Sequence, residues 1–190
     1  MKKNILITLF AFMAFTFSYA QQRNCSTMDR FDILVSEDPS LQAKMQKNEA
    51  MLQNWIKNNP DANTKSAVLT IPVVVHVVYN SSTENISTAQ VQSQIDILNE
   101  DFRRTNTDAS NTPSAFQAVA ADSEIEFCLA STDPNGNSTD GITRTSTTQT
   151  SFGYSNDGVK YTSLGGIDAW NTSEYMNIWV CDLSSGLLGY

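Results

Sequence analysis

The amino-acid sequence predicts an α/β (α+β) fold: a mixed or parallel sheet with a helix lying back on it, preceded by a short helical segment. Three observations carry this expectation. Residues 71–79 form an apolar, β-branched run without alternation, the pattern of a strand buried on both faces. A strong helix start comes next, with Ser87 as N-cap and Gln90 completing a capping box, while Ile86 and Val91 sit at the two positions of a hydrophobic staple. Two further apolar runs, residues 125–130 and 175–181, supply more strands.

In chain order, the first twenty residues read as a secretory signal. Lys2 and Lys3 precede an uncharged apolar run over residues 5–17, shorter than the ~20 residues a membrane span needs. Ser18, Tyr19 and Ala20 form a small-x-small cleavage site, which places the mature start at Gln21. Removing the two lysines takes the formal net charge from −8 to −10. That acidity argues against nucleic acid and anionic membranes as partners. After signal cleavage no apolar segment is long enough to span a bilayer.

Residues 21–66 are polar and contrast with the apolar run at 71–79. Residues 28–35 can form a short helix. Asp38 and Pro39 suit the N-cap and N1 positions of a second, in which Leu41, Met45, Leu52 and Ile56 recur at helical spacing beside Trp55. The run of Asn58, Asn59, Pro60 and Asp61 stops it, and residues 62–66 read as a linker. A helical segment with so little apolar content packs on something or is removed.

Beyond the first strand, Val91, Ile95, Leu98 and Phe102 line one helix face. Glu100, Asp101, Arg103 and Arg104 read as a solvated helix end. Residues 114–121 suggest a short helix, and Asp133, Pro134, Asn135 and Gly136 a turn. Residues 137–156 read mostly as loop, with a short strand at 142–144. Gly165 and Gly166 mark a tight turn, and residues 187–190 begin a last strand in which the chain stops. An ending inside an apolar stretch suggests the front part of a longer protein.

Candidate chemistry is sparse. His76 is the only histidine and lies among valines, so it reads as a hydrogen-bonded core residue. A catalytic zinc site needs about three protein ligands, and no H-E-x-x-H, G-x-S-x-G or P-loop occurs. No catalytic residue is assigned in this chain. Three cysteines, Cys25, Cys128 and Cys181, leave at least one thiol without an internal partner. Cys128 and Cys181 read as buried thiols, with Cys181 alternatively paired beyond the chain end. Cys25, early in a removable segment, is either a zinc-capping thiolate that would keep an enzyme latent, or a disulfide partner or surface thiol. Asn24, Asn80, Asn85, Asn137 and Asn171 begin sequons, a weak signal in an Asn- and Ser-rich chain.

Taken together, residues 71–79, 94–106, 125–130, 141–144, 165–170, 175–181 and 187–190 resemble, in order, the pappalysin family of metzincin zinc metalloproteases. The resemblance implies a signal peptide (1–20), a propeptide (21–66) and the truncated N-terminal part of a catalytic domain (67–190), the metzincin-like upper subdomain. The fold it implies is a twisted, mostly parallel sheet with a backing helix, residues 87–104, and an active-site helix. Leu187 onward would start the edge strand that pairs with extended substrate, placing Gly189 and Tyr190 near the cleft. The zinc-holding motif would come after Tyr190, with calcium as a second candidate ion. Family propeptides can carry a Cys-Gly-Thr element whose cysteine ligates zinc; Cys25, Ser26 and Thr27 match it with serine in the glycine place. The implied whole is a secreted (extracellular or cell-envelope) metalloendopeptidase acting on proteins or peptides. The alternative is a secreted, non-catalytic binding module on the same scaffold.

Overall fold

The computed structural model describes residues 24–59 and 67–190. The expected signal segment with its cleavage site, and the linker at 62–66, lie outside the described residues. The elements run β1 (Asn24–Cys25), α1 (Thr27–Glu37), α2 (Ser40–Asn58), β2 (Leu69–Tyr79), α3 (Thr88–Phe102), β3 (Ile125–Leu129), β4 (Ile142–Ser146), β5 (Met176–Val180) and β6 (Leu187–Gly189).

Strand β2 is the centre of a four-stranded parallel sheet. Its first half pairs with β3, from Leu69↔Ile125 to Val73↔Leu129. Its second half pairs with β4, from Val75↔Ile142 to Tyr79↔Ser146. Strand β5 pairs with the middle, from Val73↔Met176 to Val77↔Val180. Because Val75 and Val77 each pair with both β4 and β5, those two strands flank opposite edges of β2. A strand with neighbours on both edges and layers on both faces needs no polar side, which explains the unbroken apolar run. Val73, Val74, Val75, Val77 and Val78 are all buried.

Helix α3 covers one face. The capping box forms as expected: Gln90 N–H donates to Ser87 Oγ at 3.2 Å, and Ser87 N–H donates to Gln90 Oε1 at 3.0 Å. Val91 and Ile95 pack with Val73, Val75, Val77, Phe127 and Ile142 in the main core. Asn99 pairs with the open edge of β3 as a strand would, donating to Phe127 O at 2.9 Å and accepting from Phe127 N–H at 2.7 Å. The helix end is not simply solvated. Thr105 N–H reaches Glu100 O at 2.8 Å and Arg104 N–H reaches Asp101 O at 3.1 Å, a Schellman pattern with Arg104 at φ 51°. Arg103 bridges Asp122 and Glu126, and Arg104 donates to Ala120 O at 2.7 Å.

Two expectations need correction. Residues 114–119 form successive turns rather than a helix, because only Phe116, Val119 and Ala120 N–H find short-range carbonyls. Cys128 is exposed, not buried, since the alternation of β3 turns Phe127 to the core and Cys128 away from it. Cys181 is partly buried, and burial with the nearby Asp182 and Glu84 charges pushes its thiol up to about 11. Both are free thiols, and β2 separates their strands.

The N-terminal segment forms two helices. Asp38 Oδ1 accepts from Ser40 N–H at 2.9 Å at the α2 start. Among the described residues α2 buries nothing: Met45, Met51, Leu52, Trp55 and Ile56 are all about half exposed. No described helix is long and apolar enough to cross a membrane.

Candidate functional site

The last strand meets the first. β6 pairs in parallel with β1, Asn24 opposite Leu187 and Cys25 opposite Gly189, and Ser26 N–H donates to Gly189 O at 3.0 Å. Among the described residues this two-stranded ladder is separate from the β2 sheet. Gly189 therefore lies in backbone contact with the N-terminal segment. Tyr190 is next in the chain, with its hydroxyl donating to Gly153 O at 3.4 Å and its ring edge-on to Tyr154. Burial, with the Asp157 and Cys181 charges adding to it, pushes the Tyr190 phenol up to about 12. Beside it a cleft of about 270 Å³ is lined by Val159, Trp179, Cys181, Leu188, Gly189 and Tyr190.

Cys25 is exposed and free, with its Sγ 3.0 Å from Thr27 Oγ1. Hydrogen bonding by the Thr27 side chain and backbone lowers its thiol below the usual range, which favours the thiolate that metals bind. Ser26 is buried beneath this turn. The described residues hold no group of three His, Cys, Asp or Glu side chains suited to a metal ion, so Cys25 would be a single donor here.

One turn into α1, Arg30 is buried against Asp157, its Nε and Nη2 donating to Asp157 Oδ2 at 2.9 and 2.6 Å. Lys160 Nζ lies 3.1 Å from Asp157 Oδ1 and also faces the rings of Tyr190 and Trp179. The loop that carries Asp157 and Lys160 is drawn tight at its far end. Ile167 N–H donates to Val159 O at 3.0 Å, and a Cβ on Gly166 would sit 2.1 Å from that same oxygen. Glycine is therefore required at 166. Sequence reasoning missed Arg30, Asp157 and Lys160; Arg30 and Asp157 stand 127 positions apart, and no local pattern marks either.

His76 is a core residue, as expected. Asn177 Oδ1 accepts from Trp170 N–H, and Asn177 Nδ2 donates to Trp170 O and Tyr175 O, which fixes the amide. His76 Nε2, 2.9 Å from Asn177 Oδ1, is then the N–H donor, and Nδ1 accepts from Thr143 at 2.7 Å. The ring lies over Trp179 at 5.1 Å. Burial lowers its pKa, opposed by the Asn177 contact. This is a neutral structural imidazole.

The order of elements, the parallel sheet and a leading segment laid on the last strand can be set beside solved structures. The chain is similar to mirolysin. It is 61% identical to mirolysin in complex with compound 9, at a TM-score of 0.60, over 62% of this chain and 44% of that one. It is 60% identical to Tannerella forsythia mature mirolysin in complex with a cleaved peptide, at 0.61, over 63% and 44%. It is 48% identical to a Tannerella forsythia promirolysin mutant, at 0.65, over 84% of this chain and 51% of that one. The chain thus spans about half the length of the mirolysin chains it matches. No family model and no curated protein matches it. The mixed α/β architecture with its parallel sheet is the metzincin-like fold of promirolysin. Mirolysin is a metzincin-type zinc metalloprotease, so the likeness reaches that group, and the pappalysin family is a narrower reading within it.

Proposed function

We propose that this chain is the N-terminal portion of a secreted zinc-dependent metalloendopeptidase of the pappalysin family, carrying the signal peptide (1–20), the propeptide (21–66) and the first part of the catalytic domain (67–190). The observation that carries the reading is the parallel ladder between β1 and β6. A leading segment that occupies the last strand by main-chain pairing stands where an extended peptide would pair. The share of the chain matched rises from 62–63% against mirolysin to 84% against promirolysin, which supports reading the leading segment as a propeptide.

In this reading Gly189 and Tyr190 belong to the substrate-binding strand. Gly189 O, now bonded to Ser26 N–H, is freed for a substrate N–H once the segment leaves. Cys25 is the residue that would hold zinc in the latent form, through a thiolate favoured by Thr27. Zinc, when bound by residues beyond Tyr190, supplies an activated water for peptide-bond hydrolysis. The partners are proteins or peptides, and the setting is extracellular or the cell envelope.

The test uses a product extending past Tyr190. Metal analysis should return zinc, and unfolded protein should be cleaved after the leading segment is removed. Cys25→Ser should raise activity before that removal; equal latency in variant and parent removes Cys25 from the scheme. The same metal analysis reads calcium. A longer product that binds no zinc and cleaves nothing supports the non-catalytic binding module instead.

A further inference from the structure

We propose that α2 is a self-association surface, and that its partner is α2 of a second copy of this chain, laid parallel and in register. The inference does not depend on the protease reading.

Helix α2 runs for 19 residues, about 28 Å, and none of them is buried. Leu41 alone is partly covered, at the turn from α1, where its N–H donates to Asp38 O at 3.0 Å. Met45, Met51, Leu52, Trp55 and Ile56 stand about half exposed. A helix of this length gains little from its backbone alone and takes most of its stability from a covered apolar face. The apolar side chains do share one face. Leu41, Met45, Asn48, Leu52 and Trp55 follow one another at steps of four, three, four and three, the seam of a two-stranded coiled coil. Met51 and Ile56 widen that seam at its C-terminal end.

What this seam fits is itself. In a parallel, in-register pair the residue just before Met45 or Leu52 lies across from the residue just after the next seam position of the other copy. Lys44 then faces Glu49 of the other copy, and Met51 faces its Ile56, each pair occurring on both sides of the seam. Asn48 faces Asn48, and each amide offers the other both a donor and an acceptor. The antiparallel pair with full overlap instead sets Glu49 against Glu49 and Asn48 against Leu52. Charge and polarity thus select one orientation and one register. A surface on which one residue meets a second, while that second meets the first, is the contact two identical chains make about a two-fold axis. Within one copy, Lys44 Nζ lies 3.3 Å from Asp38 Oδ2, and Glu49 Oε1 accepts from Gln53 Nε2 at 2.8 Å. These groups are all exposed, so exchanging their contacts for Lys44–Glu49 pairs between copies costs little.

The test is sedimentation equilibrium of the chain from Gln21 to Tyr190, which leaves out the apolar run at residues 5–17 that would associate on its own. The expected result is a reversible monomer–dimer equilibrium with a dissociation constant between about 50 µM and 1 mM, as a short interface gives. At the low micromolar concentrations of an unfolding titration α2 is then uncovered. Lys44→Glu and Glu49→Lys each set like charges across the seam and should each weaken the dimer about fivefold or more. Mixing these two variants in equal amounts makes both cross-pairs opposite in charge and should restore the parent constant. Leu52→Lys should give a monomer that keeps the parent's thermal transition at low concentration, because α2 lies outside the buried core. A chain that stays monomeric to about 1 mM overturns the proposal. So does association that the single variants do not weaken or the mixture does not restore, since the contact then lies elsewhere or runs antiparallel. The same measurement on the product extending past Tyr190, with its leading segment intact, should again show the dimer; a monomer there means that downstream chain covers α2, and overturns the proposal too. Missing zinc and missing cleavage in that product bear on the protease reading alone.

Discussion

Strand β2 and helix α2 both carry large apolar residues, yet six consecutive residues of β2 are buried and none of α2 is. β2 is held everywhere at once: paired on both edges and packed under α3 on one face and around Phe152 and Val159 on the other. The N-terminal segment is held at a few points: the two-residue ladder of β1, the Ser26 amide, and the Arg30–Asp157 pair. Distributed apolar burial unfolds only with the whole domain, whereas a segment tied by discrete polar contacts opens locally. A removable leading segment needs the second kind of attachment.

The comparison breaks most visibly at β2. Val77 is fully buried, so Val77→Asp strands a carboxylate in the core and costs about 4 kcal/mol or more. Loss of a cooperative thermal transition by circular dichroism is the expected outcome. Arg30→Met comes next. It leaves Asp157 with Lys160 alone and costs about 3 kcal/mol, the lower end for breaking a buried pair, because Lys160 remains. Amide hydrogen exchange of this variant should show the amides at positions 26 and 30 opening while the β2 amides keep their protection. Loss of protection across both regions would mean that they unfold as one unit.

A smaller effect separates the two regions by pH. Burial lowers the His76 pKa, so the unfolded chain binds that proton more readily than the folded one. The neutral imidazole's contribution is complete above the unfolded value of about 6.5, falls as the pH drops below it, and levels off under the folded pKa. Between about pH 7.5 and pH 5.5 the parent Tm should fall more than that of His76→Gln. Parallel falls would remove His76 as the cause. The smallest effect belongs to α2: Trp55 is 57% exposed, so Trp55→Ser should change stability by less than about 0.5 kcal/mol. A larger drop in a denaturant titration would show that α2 is covered in solution.

The main elements were legible because their signals are local. The β2 run, the Ser87 and Gln90 box and the 3.6-residue stripe of α3 each depend on neighbours a few positions away, and their physics holds before any tertiary contact forms. The turn at Asp133 was legible for the same reason, with Gly136 N–H bonded to Asp133 O at 2.9 Å. The short helix expected after residue 113 failed because local propensity there had no packing to extend it. Cys128 was misplaced because an apolar strand reads the same from either face; only the register with β2 decides which side turns outward.

By itself the sequence determined the central strand, the capped helix, the odd cysteine count and the absence of a histidine cluster, since each is a matter of residue identity and spacing. The tertiary structure alone decided that β6 takes β1 as its partner, and that Arg30 meets Asp157 across 127 positions. The physical reason is range. Backbone pairing between chain ends and a buried ion pair draw their energy from contacts that form only after the chain has closed on itself, and no periodicity in the sequence encodes that closure.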